Sequence, residues 1–178
     1  MDSRTPDSTL YSGKVIEVRL ETVTFPDGRS FPLEVVRHPG GAAVVALDGE
    51  GRVCLVHQYR HVTDGFMWEL PAGRRTPGED PANTVKRELR EEGGAEARSW
   101  ESLGSLASSP GVFSEIIFLF LARDLTLVGR ELEDEEFMET HWVPLEEALA
   151  WAADGRISDA KTLAGLFRAR EALRDSAG

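Results

Sequence analysis

Three glutamates constrain this chain more than any other feature. Glu88, Glu91 and Glu92 stand at i, i+3 and i+4 between a helix start, Asp80-Pro81, and a helix stop, Gly93-Gly94. The spacing predicts a helix over 81–92 with the three carboxylates on one face. Val85, Leu89 and Ala82 recur at three and four and predict a core-facing side. Like charges at these spacings repel, and the C-terminal end of a helix dipole disfavours negative charge. A helix selected for stability alone avoids this pattern. A divalent cation turns the repulsion into coordination, because Mg²⁺ takes hard oxygen ligands. A bare Glu triplet more often marks a solvated acidic face paired with Lys86, Arg87 and Arg90. The surrounding residues therefore decide between the two readings.

The chain has 178 residues and a formal net charge of −11. That length suits one domain with a core of its own. The acidic balance argues against a nucleic-acid partner. It leaves a phosphate-bearing substrate open, since a bound cation inverts the local field. Cys54 is the sole cysteine, which excludes an internal disulfide and suits a reducing cytoplasm. The segment 1–12 is polar and predicts a frayed tail without a secretory leader. The longest apolar run, Ile116 to Ala122, is too short to span a bilayer, so no membrane is expected.

Strand signals occur at 14–25, 30–37, 42–47, 53–59, 67–70, 103–107, 115–122 and 137–143. Pro26-Asp27-Gly28 joins the first two as a hairpin. Helices are expected at 145–153 and 159–174, the second with Ser158 as N-cap. This order predicts an α/β (α+β) fold with a mixed sheet sandwiched by helices. The division expected is 1–40 as N-terminal strands, a flexible tail plus a hairpin, and 41–178 as the main domain.

Read outward from the acids, 73–95 is GRRTPGEDPANTVKRELREEGGA. Gly73, Glu79, Arg87, Glu88, Leu89, Glu91, Glu92, Gly94 and Ala95 occupy the defined positions of the Nudix box, G-x5-E-x7-R-E-U-x-E-E-x-G-U. The chain thus resembles a Nudix hydrolase. The resemblance implies an α/β/α sandwich carrying a loop–helix–loop. It also implies Mg²⁺, or Mn²⁺ in its place, held by Glu88, Glu92 and the backbone carbonyl of Ala72, with Glu91 reaching a further metal. Arg87 would hold the carboxylates by ion pairing, and Glu79 would brace the loop.

Outside the box, Glu69-Leu70-Pro71-Ala72-Gly73, Gln58-Tyr59-Arg60 and Ser109-Pro110-Gly111 with Phe113-Ser114-Glu115 resemble the ADP-ribose pyrophosphatase group. By that resemblance Arg60 meets the diphosphate, a role suited to a guanidinium fork. Glu69, Pro110 and Glu115 join it as substrate-site residues. The hairpin also resembles the extra strands with which this group builds a homodimer. Phe31, Val35, Arg37 and His38 are thus candidate pocket or dimer residues, each equally open to simple packing. His57 and His61 are four apart, but the first falls in a strand, so no shared metal site is expected. Trp68 is expected to pack in the core.

The resemblance implies metal-assisted hydrolysis of a nucleoside-diphosphate derivative by in-line attack of water. The favoured substrate is ADP-ribose, giving AMP and ribose 5-phosphate. A GDP- or UDP-sugar is the alternative, and a non-catalytic ADP-ribose sensor is the reading from another class. In the resembled group the general base comes from a mobile acidic loop. Here that is GRELEDEEF, 129–137, with Glu136, Glu135 and Glu133 as candidates, Glu136 first.

Overall fold

The computed structural model describes residues 7–129 and 137–175. Two compact units emerge: Met1–Gly40 with Ala107–Ile116, and Gly41–Leu106 with Ile117–Gly178.

The first unit is built on an antiparallel three-stranded sheet of β1 (Ser8–Ser12), β2 (Glu17–Thr24) and β3 (Ser30–Arg37), in that order. The hairpin expected from Pro26-Asp27-Gly28 is present, with Gly28 at φ +86° in its turn. Residues 8–12 are not the frayed tail expected. They pair with β2, and Asp7 beside them accepts the Thr22 amide at 2.9 Å. Backbone pairing needs no apolar alternation, so the polar composition of this strand concealed it. The segment after residue 107 rides on β3, through Val36 N to Val112 O at 2.7 Å and Ser114 N to Val36 O at 2.9 Å.

In the second unit β4 (Gly41–Ala46) runs through the centre. It pairs antiparallel with β7 (Ala72–Arg74) and parallel with β9 (Ile116–Leu127), and β8 (Ala95–Ala107) completes a mixed sheet in the order β7-β4-β9-β8. A second, antiparallel sheet has the order β10-β5-β6, from β10 (Met138–Pro144), β5 (Arg52–Arg60) and β6 (Gly65–Glu69). A single 3₁₀ turn, His61–Thr63, joins β5 to β6.

Every residue of β4 is buried, and its two faces meet different helices. Ala42, Val44 and Ala46 join Val85 and Leu89 of α1 (Pro81–Glu91) in one apolar cluster. Ala43 and Val45 join Ala148 of α2 (Leu145–Asp154) and Leu166 and Ala169 of α3 (Ala160–Asp175) in another. Phe118 and Phe120 of β9 face the α1 cluster, and Ile117, Leu119 and Leu121 the other. This period of two explains the unbroken apolar runs in both strands, since a sheet covered on both sides has no polar face. The result is the expected mixed sheet between helices.

Helix α1 has the local logic read from its ends. Asp80 accepts the Ala82 amide at 2.9 Å, Pro81 opens the helix, and Gly94 adopts φ +63° beyond its end. Helix α3 begins differently from expectation. Asp159, not Ser158, receives the Thr162 amide, at 3.0 Å.

Candidate active site

The elements that place the acids are α1 and the chain leading into β7. Leu70, Pro71 and Ala72 form a connection held at each residue by a distant partner. Leu70 N donates to Thr162 Oγ1 at 2.9 Å, Pro71 O accepts from Val44 N at 3.0 Å, and Ala72 N donates to Glu92 Oε2 at 2.8 Å. The carboxylate at the end of α1 is thereby tied to the backbone that precedes the box. From the other side, Thr140 Oγ1 of β10 donates to the Glu92 carbonyl at 2.6 Å.

Glu88 is held by a steric fit. A Cβ on Gly73 would lie 1.7 Å from Glu88 Oε1 and 2.0 Å from its Cδ. The glycine is therefore required for close approach of side chain to backbone. Glu88 and Glu92 are both buried, while Glu91 is partly open. Arg87 lies between two of them, with Nη1 at 2.6 Å from Glu88 Oε1 and 2.9 Å from Glu91 Oε2. Burial works against the Arg87 charge, but Glu88 and Glu91 outweigh it and raise its pKa. Glu79 sits in the loop, where Thr76 N donates to its Oε2 at 2.8 Å. That amide bond is the main reason its carboxyl lies below the ordinary range.

Among the described residues, no three His, Cys, Asp or Glu side chains are already gathered as a metal cage. The reason is visible in the contacts: Arg87 engages Glu88 and Glu91, and the Ala72 amide engages Glu92. The donor set nonetheless fits a hard divalent cation. It is all oxygen, it shares one helix end, and two of its carboxylates are buried against backbone. The glycine at 73 leaves the room in which Glu88 lies. Glu88, Glu91 and Glu92 would hold the ion, with Ala72 beside them.

Arg60 and Glu69, expected as two substrate contacts, form one pair. Arg60 donates through Nε at 2.6 Å and Nη2 at 2.8 Å to the two oxygens of Glu69. Lys161 of α3 also bonds Glu69 Oε2, and lies 3.1 Å from Asp159 Oδ2. Burial pushes against ionisation of Glu69. The Arg60 hydrogen bonds and the Lys161 charge overcome it and hold the carboxyl below its ordinary value. Arg60 is raised, chiefly by its bond to Glu69, with Glu92 and Asp159 adding to the field.

Other expected residues belong to the first unit. Arg37 pairs with Glu21 through Nε at 2.8 Å. Glu115 Oε1 lies 3.4 Å from His38 Nδ1. Pro110 is in the turn after β8. Phe31 rests 4.6 Å from Phe25. Glu133, Glu135 and Glu136 lie outside the described residues. Trp68 packs against the core and stacks on His57 at 4.4 Å.

Sequence reading missed Thr140 and Lys161. Nothing local marks Thr140. Lys161 had one faint signal: a cation in the first turn of a helix is against the dipole.

A model of the NUDIX domain matches residues 37–166. The chain is 38% identical over 169 residues to an ADP-ribose pyrophosphatase of Bacillus subtilis, covering 93% of this chain and 91% of that one. It is 40% identical over 162 residues to an ADP-ribose pyrophosphatase of Mycobacterium tuberculosis, covering 89% and 78%. A crystal structure described as an ADP compounds hydrolase superposes with a TM-score of 0.80, covering 95% of this chain and 92% of that one, at 24% identity. Fold, box and relatives agree, and this chain belongs to the Nudix family.

Proposed function

We propose that the protein hydrolyses the pyrophosphate bond of ADP-ribose to AMP and ribose 5-phosphate, with Mg²⁺ as its metal. The observation that carries this reading is the buried pair Glu88 and Glu92, seated against Gly73 and Ala72 at the end of α1. Carboxylates side by side at the C-terminal end of a helix repel one another and oppose its dipole, and a divalent cation would offset both effects. Two relatives named for ADP-ribose, aligned along most of this chain, support the choice of substrate.

When bound, a divalent cation would neutralise phosphoryl charge and make water a better nucleophile. The rest falls to the chain. Glu88, Glu91 and Glu92 hold the ion, and Arg87 holds Glu88 and Glu91 in place by ion pairing. Arg60, fixed on Glu69, directs its remaining donors at a phosphate oxygen. Glu136, Glu135 or Glu133 takes the proton of the attacking water. The sheet of β1, β2 and β3 forms a homodimer interface. Neither nucleic acid nor membrane is a partner. No helix among the described residues is long and apolar enough to cross a membrane, and the protein works in the cytoplasm.

The test is a panel of ADP-ribose and GDP- and UDP-sugars with Mg²⁺, read as phosphate released after added phosphatase. ADP-ribose is expected to turn over fastest and to give AMP. Faster hydrolysis of a sugar nucleotide overturns the substrate. Binding of ADP-ribose without products overturns the reaction.

A further inference from the structure

Lys161 carries two energetic penalties with no gain in helix stability. It is the second residue of α3, where the positive end of the helix dipole disfavours a cation. Its side chain is only 13% exposed, so much of the ammonium's hydration is lost. Its partners explain its place. Glu69 Oε2 receives both Lys161 Nζ and Arg60 Nη2. The carboxylate is thus gripped by Lys161 from α3 and by the fork of Arg60 from β5.

The foundation of this grip is rigid. Asp159 caps α3 through Thr162 N at 3.0 Å and Thr162 Oγ1 at 2.6 Å, and stands 3.1 Å from Lys161 Nζ. The same Thr162 hydroxyl accepts Leu70 N, the residue next to Glu69. One run of hydrogen bonds therefore joins the start of α3 to the end of β6. Arg60 is a long side chain, 38% exposed, and depends on Glu69 for its orientation. Its Nε and Nη2 are used there. Among the described residues, Nη1 has no hydrogen-bond acceptor. A guanidinium held along one edge presents the other edge in a fixed direction.

Resting on the reading that Arg60 grips the diphosphate, we propose that Lys161 is a positioning residue for substrate binding: it locks Glu69 so that the outer edge of Arg60 is preset for an anionic phosphate. Lys161 touches no substrate and acts only through Glu69. A second cation on Glu69 also leaves Arg60 less neutralised by its partner. A lysine that merely fastened α3 to β6 would lower stability when removed, yet would not care whether Arg60 was present.

A double-mutant cycle on Arg60 and Lys161 separates these roles, with Mg²⁺, ADP-ribose and the full chain. Lys161→Met is expected to raise KM about fivefold with kcat within about twofold, the pattern of lost uniform binding. Lys161→Arg, which keeps the charge, is expected to recover most of the loss. In an Arg60→Ala background, Lys161→Met is expected to change KM by less than about twofold. Lys161→Gln serves in its place if Lys161→Met does not fold, with Tm followed for every variant. An equal KM rise in both backgrounds, or an unchanged KM in folded Lys161→Met, overturns the role of Lys161 alone. A wild-type KM in Arg60→Ala overturns the role of Arg60 in binding, and the positioning role with it.

Discussion

Gly73 has no side chain because the carboxylate of Glu88 fills the place of one. Gly73→Ala drives a Cβ into that carboxylate, so it is expected to cost about 1–3 kcal/mol and to displace Glu88 from its position. Turnover should fall together with Tm, and thermal melts beside initial rates check both. Glu92→Gln is a cleaner change. The amide oxygen still accepts the Ala72 N–H, so the fold survives while the charge is lost. Its rate loss is expected to exceed the roughly 10–100-fold typical of groups one step removed from a metal. Mg²⁺ should raise Tm in the wild type but much less in this variant, since only ligand bound to the folded state stabilises it. A near-normal rate or an undiminished Mg²⁺ shift rejects Glu92 as a ligand. At this scale the placement of Glu88, Glu91 and Glu92 at the end of one helix was legible, because their spacing is local. The pairing of Arg60 with Glu69 was not. The two lie nine residues apart, and the β5–β6 register pairs Arg60 with Gly65 and Glu69 with Val56, so only their long side chains, reaching along the hairpin, bring them together.

Helix α1 was legible almost to the residue because its signals are contiguous: an acidic cap, a proline, an apolar stripe and two glycines. Asp80→Ala removes the side-chain bond to Ala82 N and is expected to lower stability by about 1 kcal/mol, measured by urea unfolding. Activity should change little, because the first turn of α1 is the end remote from Glu92. Strands were read less well. β8 spans Ala95–Ala107, whereas the sequence suggested only its last five residues. Its first half mixes Glu96, Arg98 and Glu101 with Trp100, and its half-exposed faces blur the alternation that marks a strand. β7 has three residues, too few to show a period.

For the whole molecule, acid sensitivity has a definite source. Glu69 is buried, and its carboxyl is held below the ordinary range. Its ion pairs therefore contribute fully at pH above about 4.3, the ordinary glutamate value, and are lost as pH falls through the depressed one. Glu69→Gln leaves Arg60 and Lys161 without their shared anion and is expected to cost about 3–5 kcal/mol at neutral pH. That difference should shrink as pH falls below 4. Urea midpoints of both proteins across this range check it, and a constant difference rejects the ion-pair origin.

The sequence by itself determined the family, the acid-bearing helix and a mixed sheet sandwiched by helices, because each is written in contiguous spacing. Only the tertiary structure decided which carboxylates are buried, that Ala72 and Thr140 hold Glu92 from two sides, and that Lys161 stands behind Arg60 through Glu69. Those facts depend on contacts between residues as far apart as Glu69 and Lys161, which come together only when the strands pair and α3 packs. No local pattern encodes them, because the energy that selects them arises in the closed core.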